Sequence, residues 1–206
     1  MAHAEGSVRE RRLLEWNVVV LSIASIVLLA ASIAARADLT ALETQVFRGV
    51  NELPDALYNP IWPLMQYGTF ITIPVLATVA LLFHRRALAL ALALAGVGVY
   101  LLALVVKQIV ERGRPAELLT GVEQREVFGE GSLGFPSGHA AVAAALSVVV
   151  AAHLSKRWTI AALVLGTAVL IGRLYVGAHL PLDVIGGAAL GAVAGSAVNL
   201  IVRRAR

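Results

Sequence analysis

The sequence contains no cysteine, which excludes disulfides, thiolate metal sites and a cysteine nucleophile together, and leaves the redox compartment unconstrained. Charge is scarce as well: 15% of the 206 residues are Asp, Glu, Lys or Arg, and two of the cations are lysines. A soluble domain carries about 25% charged residues, so this composition lies outside the soluble class. No Pro/Gly/Ser-rich linker, charge block or internal repeat divides the chain, which reads as one domain over residues 1–206. What is abundant is apolar: 59% of residues are hydrophobic and the mean hydropathy is +0.81. A net charge of +4 and a pI near 10.0 would suit a nucleic-acid binder. The cations, however, form no stripe with interleaved aromatics, so no nucleic-acid partner is expected.

A membrane-spanning helix needs about 20 mostly apolar residues. Six segments meet or approach this: Asn17–Ala35, Ile61–Phe83, Ala87–Val106, Gly138–Leu154, Thr159–Val176 and Leu182–Val202. The first is longer than the about 7–15 apolar residues of a signal-peptide core and reads as a retained helix. Arg9, Arg11 and Arg12, then Arg85 and Arg86, then Lys156 and Arg157, then Arg203, Arg204 and Arg206 all fall on one side of a six-helix arrangement. Most acids fall on the other, among them Asp38, Glu43, Glu52, Asp55, Glu111, Glu117, Glu123, Glu126 and Glu130. The bias of Lys and Arg toward cytoplasmic loops then places both termini inside. The expected fold is all-α and polytopic, with six transmembrane helices. In the first outer loop, Leu39, Leu42, Val46 and Val50 recur at helical spacing and suggest an amphipathic helix in the membrane interface. An ordinary helix capping the bundle fits equally, and no chemistry attaches to it. Tyr58, Trp62 and Tyr67 follow as interfacial aromatics. Pro74 should kink the second span. Gly187, Gly191 and Gly195 permit close helix approach, for which packing within the chain is a better use than dimerisation.

Several residues remain that a bilayer penalises. Lys107 and Arg173 each end an apolar run, on the side where Arg112, Arg114, His139, His179 and Asp183 also fall. Snorkelling accounts for scattered cations, but not for several cations, two histidines and a carboxylate at one depth. Lys107, Arg114 and Arg173 together could surround a tetrahedral dianion, with the arginine forks suited to its oxygens. Lys107 and Arg114 are seven residues apart and would share a face of a continuing helix, although Pro115 disfavours helix at Arg114. Ser137 is a natural N-cap for the fourth helix and Gly138 admits a ligand to the backbone, so this helix start is an anion site with His139 in its first turn. Pro181 suits the first position of the last helix, which puts Asp183 in the first turn. There it can reach one nitrogen of His179, as the acid of a catalytic triad orients its histidine. Such a His-Asp pair is also a common structural device. His3, His84 and His153 lie in a tail or in cytoplasmic clusters and receive no role.

The motifs resemble those of the type 2 phosphatidic acid phosphatase (lipid phosphate phosphatase) family. Lys107 to Pro115 matches its K-x6-R-P motif, Pro136-Ser137-Gly138-His139 its P-S-G-H motif, and Arg173-x5-His179-x3-Asp183 its third. They occur in family order over about half the chain. The resemblance implies that His179 attacks phosphorus to form a phosphohistidine, oriented by Asp183. It further implies that His139 protonates the leaving oxygen and then activates water. Lys107, Arg114, Arg173, Ser137 and Gly138 would hold the phosphoryl oxygens, with no metal and no cofactor. One departure is Gly172, where the family often has Ser; a hydroxyl contact would be missing.

Two other readings use the same residues. His139, His179 and Asp183 could ligate a metal in a metal-dependent hydrolase, although three cations would repel it. A scramblase or transporter could also carry intramembrane charge, although the charges here gather at one surface. The substrate expected is a lipid phosphate from the outer leaflet, with the site on the extracytoplasmic face of the inner membrane. Polyprenyl pyrophosphate, phosphatidic acid, phosphatidylglycerol phosphate and a prenyl-linked sugar phosphate are all compatible. The Ala- and Arg-rich composition suggests a GC-rich bacterium and favours an envelope- or carrier-lipid. Glu111–Pro136, punctuated by Gly121, Gly129, Gly131 and Gly134, is a lid candidate or a passive connector.

Overall fold

The computed structural model describes residues 2–127 and 132–204, with side chains over 11–127 and 132–202. Gly129, Glu130 and Gly131 of the lid candidate, and Arg206 of the C-terminal cluster, lie outside the described residues. All regular structure among the described residues is helical. The helices are α1 (Ala2–Ala34), α2 (Ala41–Asn51), α3 (Tyr58–Met65), α4 (Thr72–Leu82), α5 (Arg86–Val110), α6 (Pro115–Leu118), α7 (Gly138–His153), α8 (Lys156–Tyr175) and α9 (Pro181–Arg204). Four stretches are long and apolar enough to cross a membrane: Arg11–Ala34, Arg86–Leu118, Lys156–Tyr175 and Pro181–Val202. A fifth, Asp55–Gly68 with Thr72–Leu82, is bent by 67° at its break. The apolar α7 has 16 residues and is shorter. Large side chains such as Ile26, Leu29, Leu101 and Val164 point outward from these helices. The surface thus repeats the apolar character that a soluble protein keeps inside, as an integral membrane protein requires.

Helix α7 is the centre. Its Ala140, Ala141, Ala143, Ala145, Leu146 and Val149 are all buried, enclosed by α5, α8 and α9. Small residues let these neighbours come close. A Cβ at Gly187, Gly191 or Gly195 would collide with the carbonyl oxygen of Ser137, Ala141 or Ala145, respectively. The glycine stripe of α9 therefore packs one turn at a time along α7, within the chain. On its other side α9 contacts α1, where Asn199 Nδ2 donates to Asn17 Oδ1 at 3.0 Å.

Three sequence expectations change. The bend of the second span falls at residues 69–71 and not at Pro74, because Pro74 lies in the first turn of α4, where a missing N–H removes no helical hydrogen bond. Tyr67 is turned inward, its hydroxyl 3.3 Å from Ser147 Oγ, whereas Trp62 is exposed. Helix α2 does form, with Thr40 as N-cap. Of its expected apolar stripe, however, Leu42 is 71% exposed, and the buried face is Glu43, Phe47 and Asn51.

Candidate active site

Helix α5 stops sooner than the Lys107–Arg114 spacing suggested. Its C-cap, Glu111, is left-handed with φ 53°, and Arg114 is extended just before Pro115 opens α6. Lys107 and Arg114 therefore do not share a helix face; they meet through the returning chain. Lys107 Nζ donates to the Leu133 carbonyl at 2.5 Å. Arg114 Nε donates to Ser132 Oγ at 2.6 Å, and its NH1 to the Ala178 carbonyl at 3.0 Å. Both cations thus brace the segment that leads into α7.

That segment ends at Ser137, whose hydroxyl caps α7 by accepting from the Ala140 N–H at 3.4 Å. The Ser137 N–H in turn donates to the Asp183 carbonyl at 2.9 Å, tying the start of α7 to the start of α9. Nothing lies within 4 Å of where a Cβ on Gly138 would stand, so the backbone here borders open space. His139 occupies the first turn of α7, half-buried. An open N-terminus beside cations is the geometry for receiving an anion.

Arg173 sits in the last turn of α8, buried, with NH1 2.7 Å from Glu126 Oε2. Gly172 precedes it for a packing reason. A Cβ there would stand 2.5 Å from Met65 Cγ and 3.1 Å from Ile61 Cγ2, so the position serves contact with α3. Serine at this position would overlap Met65.

Beyond Arg173 the chain turns through Gly177, and the Ala178 and His179 N–H groups both donate to the Arg173 carbonyl. His179 is buried, its Nδ1 3.7 Å from Asp183 Oδ2 and without a hydrogen-bond partner among the described residues. Asp183 is fully buried: Oδ2 accepts from the Leu180 N–H at 2.8 Å and Oδ1 from Arg112 NH1 at 3.1 Å. Arg112 also donates to both oxygens of Glu43, at 2.9 and 2.7 Å. Burial opposes the charge on Arg112, but Glu43 and Asp183 outweigh it and hold the guanidinium above its ordinary pKa.

The structure therefore brings together all eight residues singled out by sequence, at one end of α5, α7, α8 and α9. His139 lies in the electrostatic field of Arg173, His179 and Arg114. His179 lies in that of Arg173, Lys107 and Arg114. Sequence reasoning missed Glu43. The signal available was its spacing with Phe47 and Asn51, one polar-aromatic-polar face on an otherwise unremarkable helix.

Burial, followed by Arg173, Lys107 and Arg114, pushes the His179 pKa well below the ordinary histidine range. The imidazole is then neutral, the form in which a ring nitrogen is a nucleophile. In protein labelled with ¹⁵N-histidine, the His179 signals should stay those of a neutral ring below pH about 6.5. Saturating inorganic phosphate, by offsetting the cations, should move the titration back upward. A His179 that titrates at its ordinary value in the free protein would contradict this electrostatic picture.

A PAP2 superfamily model matches residues 86–206, from α5 onward and including all three motifs. Among solved structures, LpxE from Aquifex aeolicus is similar with a TM-score of 0.71 and 25% identity, covering 80% of this chain and 96% of that one. The transmembrane PAP2 type phosphatidylglycerolphosphate phosphatase from Bacillus subtilis has a TM-score of 0.53 and 23% identity, covering 95% and 96%, and shares the fold. A comparison with curated protein sequences finds no match.

Proposed function

The chain belongs to the PAP2 superfamily and is a membrane phosphatase, and from that premise we propose a metal-independent lipid phosphatase acting through a phosphohistidine on His179. The observation that carries this reading is the convergence of Lys107, Arg114 and Arg173 around two histidines beside the open start of α7. Phosphoryl transfer requires little beyond positioning and stabilisation of charge on the equatorial oxygens, and three cations supply both. With Nδ1 facing Asp183, Nε2 of His179 is the atom left for phosphorus.

In the first half-reaction a nitrogen–phosphorus bond forms and the ester P–O bond breaks, with His139 giving its proton to the leaving oxygen. In the second, His139 takes a proton from water as the water oxygen attacks phosphorus. The nitrogen–phosphorus bond then breaks and inorganic phosphate leaves. Asp183 supports the positive charge that His179 carries in between. The carboxylate of Glu126, now on Arg173, occupies a place a phosphoryl oxygen would take, so substrate binding exchanges one anion for another.

The same reading makes residues 1–206 one domain with six spans. The bent pair counts as one span and α7 as another, both termini are cytoplasmic, α2 lies in the interface, and the site faces the extracytoplasmic side of the inner membrane. A lipid phosphate of the outer leaflet then reaches the cations with its headgroup while its tail stays in the bilayer; a homodimer is compatible but not required. The phosphatidylglycerolphosphate phosphatase among the similar structures keeps that lipid in the candidate set, beside phosphatidic acid, polyprenyl pyrophosphate and prenyl-linked sugar phosphates. No three His, Asp or Glu side chains among the described residues are arranged to hold a metal ion. Purified protein in detergent should release phosphate from at least one of these lipids, at a rate unchanged by EDTA. Activity abolished by the chelator and restored by a divalent cation would replace this reading with the metal-dependent one.

A further inference from the structure

Resting on the proposed roles of His179 and Asp183, we propose that Glu43 and Arg112 are positioning residues, and that α2 thereby belongs to the active site. Neither residue is among the three motifs, and Glu43 lies outside the stretch matched by the family model. Glu43, Arg112 and Asp183 are 6%, 7% and 0% exposed. They form a chain of carboxylate, guanidinium and carboxylate that ends 3.7 Å from His179 Nδ1.

The sum of charges gives this chain its purpose. A lone Arg112–Asp183 pair would be neutral, and it would draw the carboxylate away from the imidazole. With Glu43 included, the trio carries one net negative charge, and Glu43 holds the guanidinium by both nitrogens so that only NH1 reaches Asp183 Oδ1. Oδ2 stays with the Leu180 N–H, turned toward His179. Glu43 Oε1 also accepts the Leu182 N–H at 3.0 Å, fixing the first turn of α9, from which Asp183 projects. The carboxylate is thus set in both charge and direction.

Anchoring α2 does not require this arrangement. Phe47 is buried in an apolar cluster with Leu174 and Leu180. Asn51 donates to the Tyr175 carbonyl at 3.1 Å and accepts from the Glu123 N–H at 2.9 Å. Three buried charges are a poor way to hold an 11-residue helix, since apolar replacements of such groups are often neutral or stabilising.

The test uses the full-length protein and a p-nitrophenyl phosphate ester. Glu43→Gln keeps shape and hydrogen bonding but removes the charge. Its kcat should fall about ten- to a hundredfold, the range for losing a group that orients a reacting side chain, with KM and Tm nearly unchanged. Arg112→Lys, which keeps the charge without the fork, should lose less than Arg112→Gln. In an Asp183→Asn background the Glu43→Gln change should have almost no further effect, because the group it acts through is gone. An equal loss in both backgrounds, or a loss of Tm with kcat retained, would mean that Glu43 only supports α2. An active His179→Ala protein would overturn both this inference and the reading it rests on. An inactive His179→Ala protein beside a fully active Glu43→Gln protein would overturn this inference alone.

Discussion

His179→Ala loses at least about four orders of magnitude in phosphate release from every lipid phosphate the protein hydrolyses, the scale on which removing a covalent nucleophile acts. The loss should lie in kcat. Lys107, Arg114 and Arg173 stay where they are held by the 132–134 segment, the Ala178 carbonyl and Glu126, so the phosphate is still gathered. Electrostatic stabilisation alone leaves a residue of catalysis, about 10³-fold over water in a comparable triad, and this sets the floor. The fold should be unaffected in detergent. The imidazole is buried but makes no side-chain hydrogen bond among the described residues, and its N–H to Arg173 is a backbone contact that alanine keeps. The variant is measured by phosphate release at saturating substrate alongside binding of inorganic phosphate. Retention of more than about one per cent of kcat would be incompatible with a phosphohistidine at this position.

The sequence made this arrangement legible because its chemistry sits at helix ends. Apolar runs locate the helices to within a few residues, and a cation or histidine at the end of such a run has one place to be. The P-S-G-H start of α7 and the Pro181 start of α9 are local signals: capping and a fixed proline φ act within one turn, so reading them requires no tertiary knowledge. The early stop of α5 was less visible. Pro115 disfavours helix only at Arg114, whereas the left-handed Glu111 that ends the helix is non-glycine and carries no composition signal.

Helix α2 escaped for a different reason. Its apolar stripe was read as the face that sits on something, and in water that reading is usually correct. In a lipid-embedded bundle the apolar face can point outward, and Leu42 and Val46 do. The polar face is then the one that packs, and Glu43, Phe47 and Asn51 carry it. Glu43 had been counted with the acids of the outer side, where its number helped fix orientation and its partner stayed hidden. Arg112 is 69 residues away in sequence; only the fold brings that guanidinium to both Glu43 and Asp183. Gly172 is a similar case. A missing hydroxyl was expected from the motif, and the structure gives instead a contact with Met65 that leaves no room for one.

His139→Ala separates the two half-reactions, because they ask different things of this imidazole. A lipid phosphate has a poor leaving oxygen that needs a proton as the ester bond breaks, so its turnover should fall by about 10²–10⁴, the contribution of a general acid. A p-nitrophenyl ester leaves as a stable anion and needs no such proton. Attack by His179 should then proceed, while hydrolysis of the phosphohistidine, which still needs a base for water, stays slow. The expected result is a burst of about one equivalent of nitrophenol per protein, followed by a slow steady state. Radiolabelled phosphate should accumulate on the chain as an acid-labile, base-stable adduct and disappear in the His139→Ala/His179→Ala double variant. The geometry favours this division: His139 is half-buried at the open start of α7, where water and leaving group both arrive, and His179 lies deeper, under Asp183. Equal suppression of both esters with no burst would instead make His139 a binding group, and would leave the proton transfers without a donor among the residues assembled here.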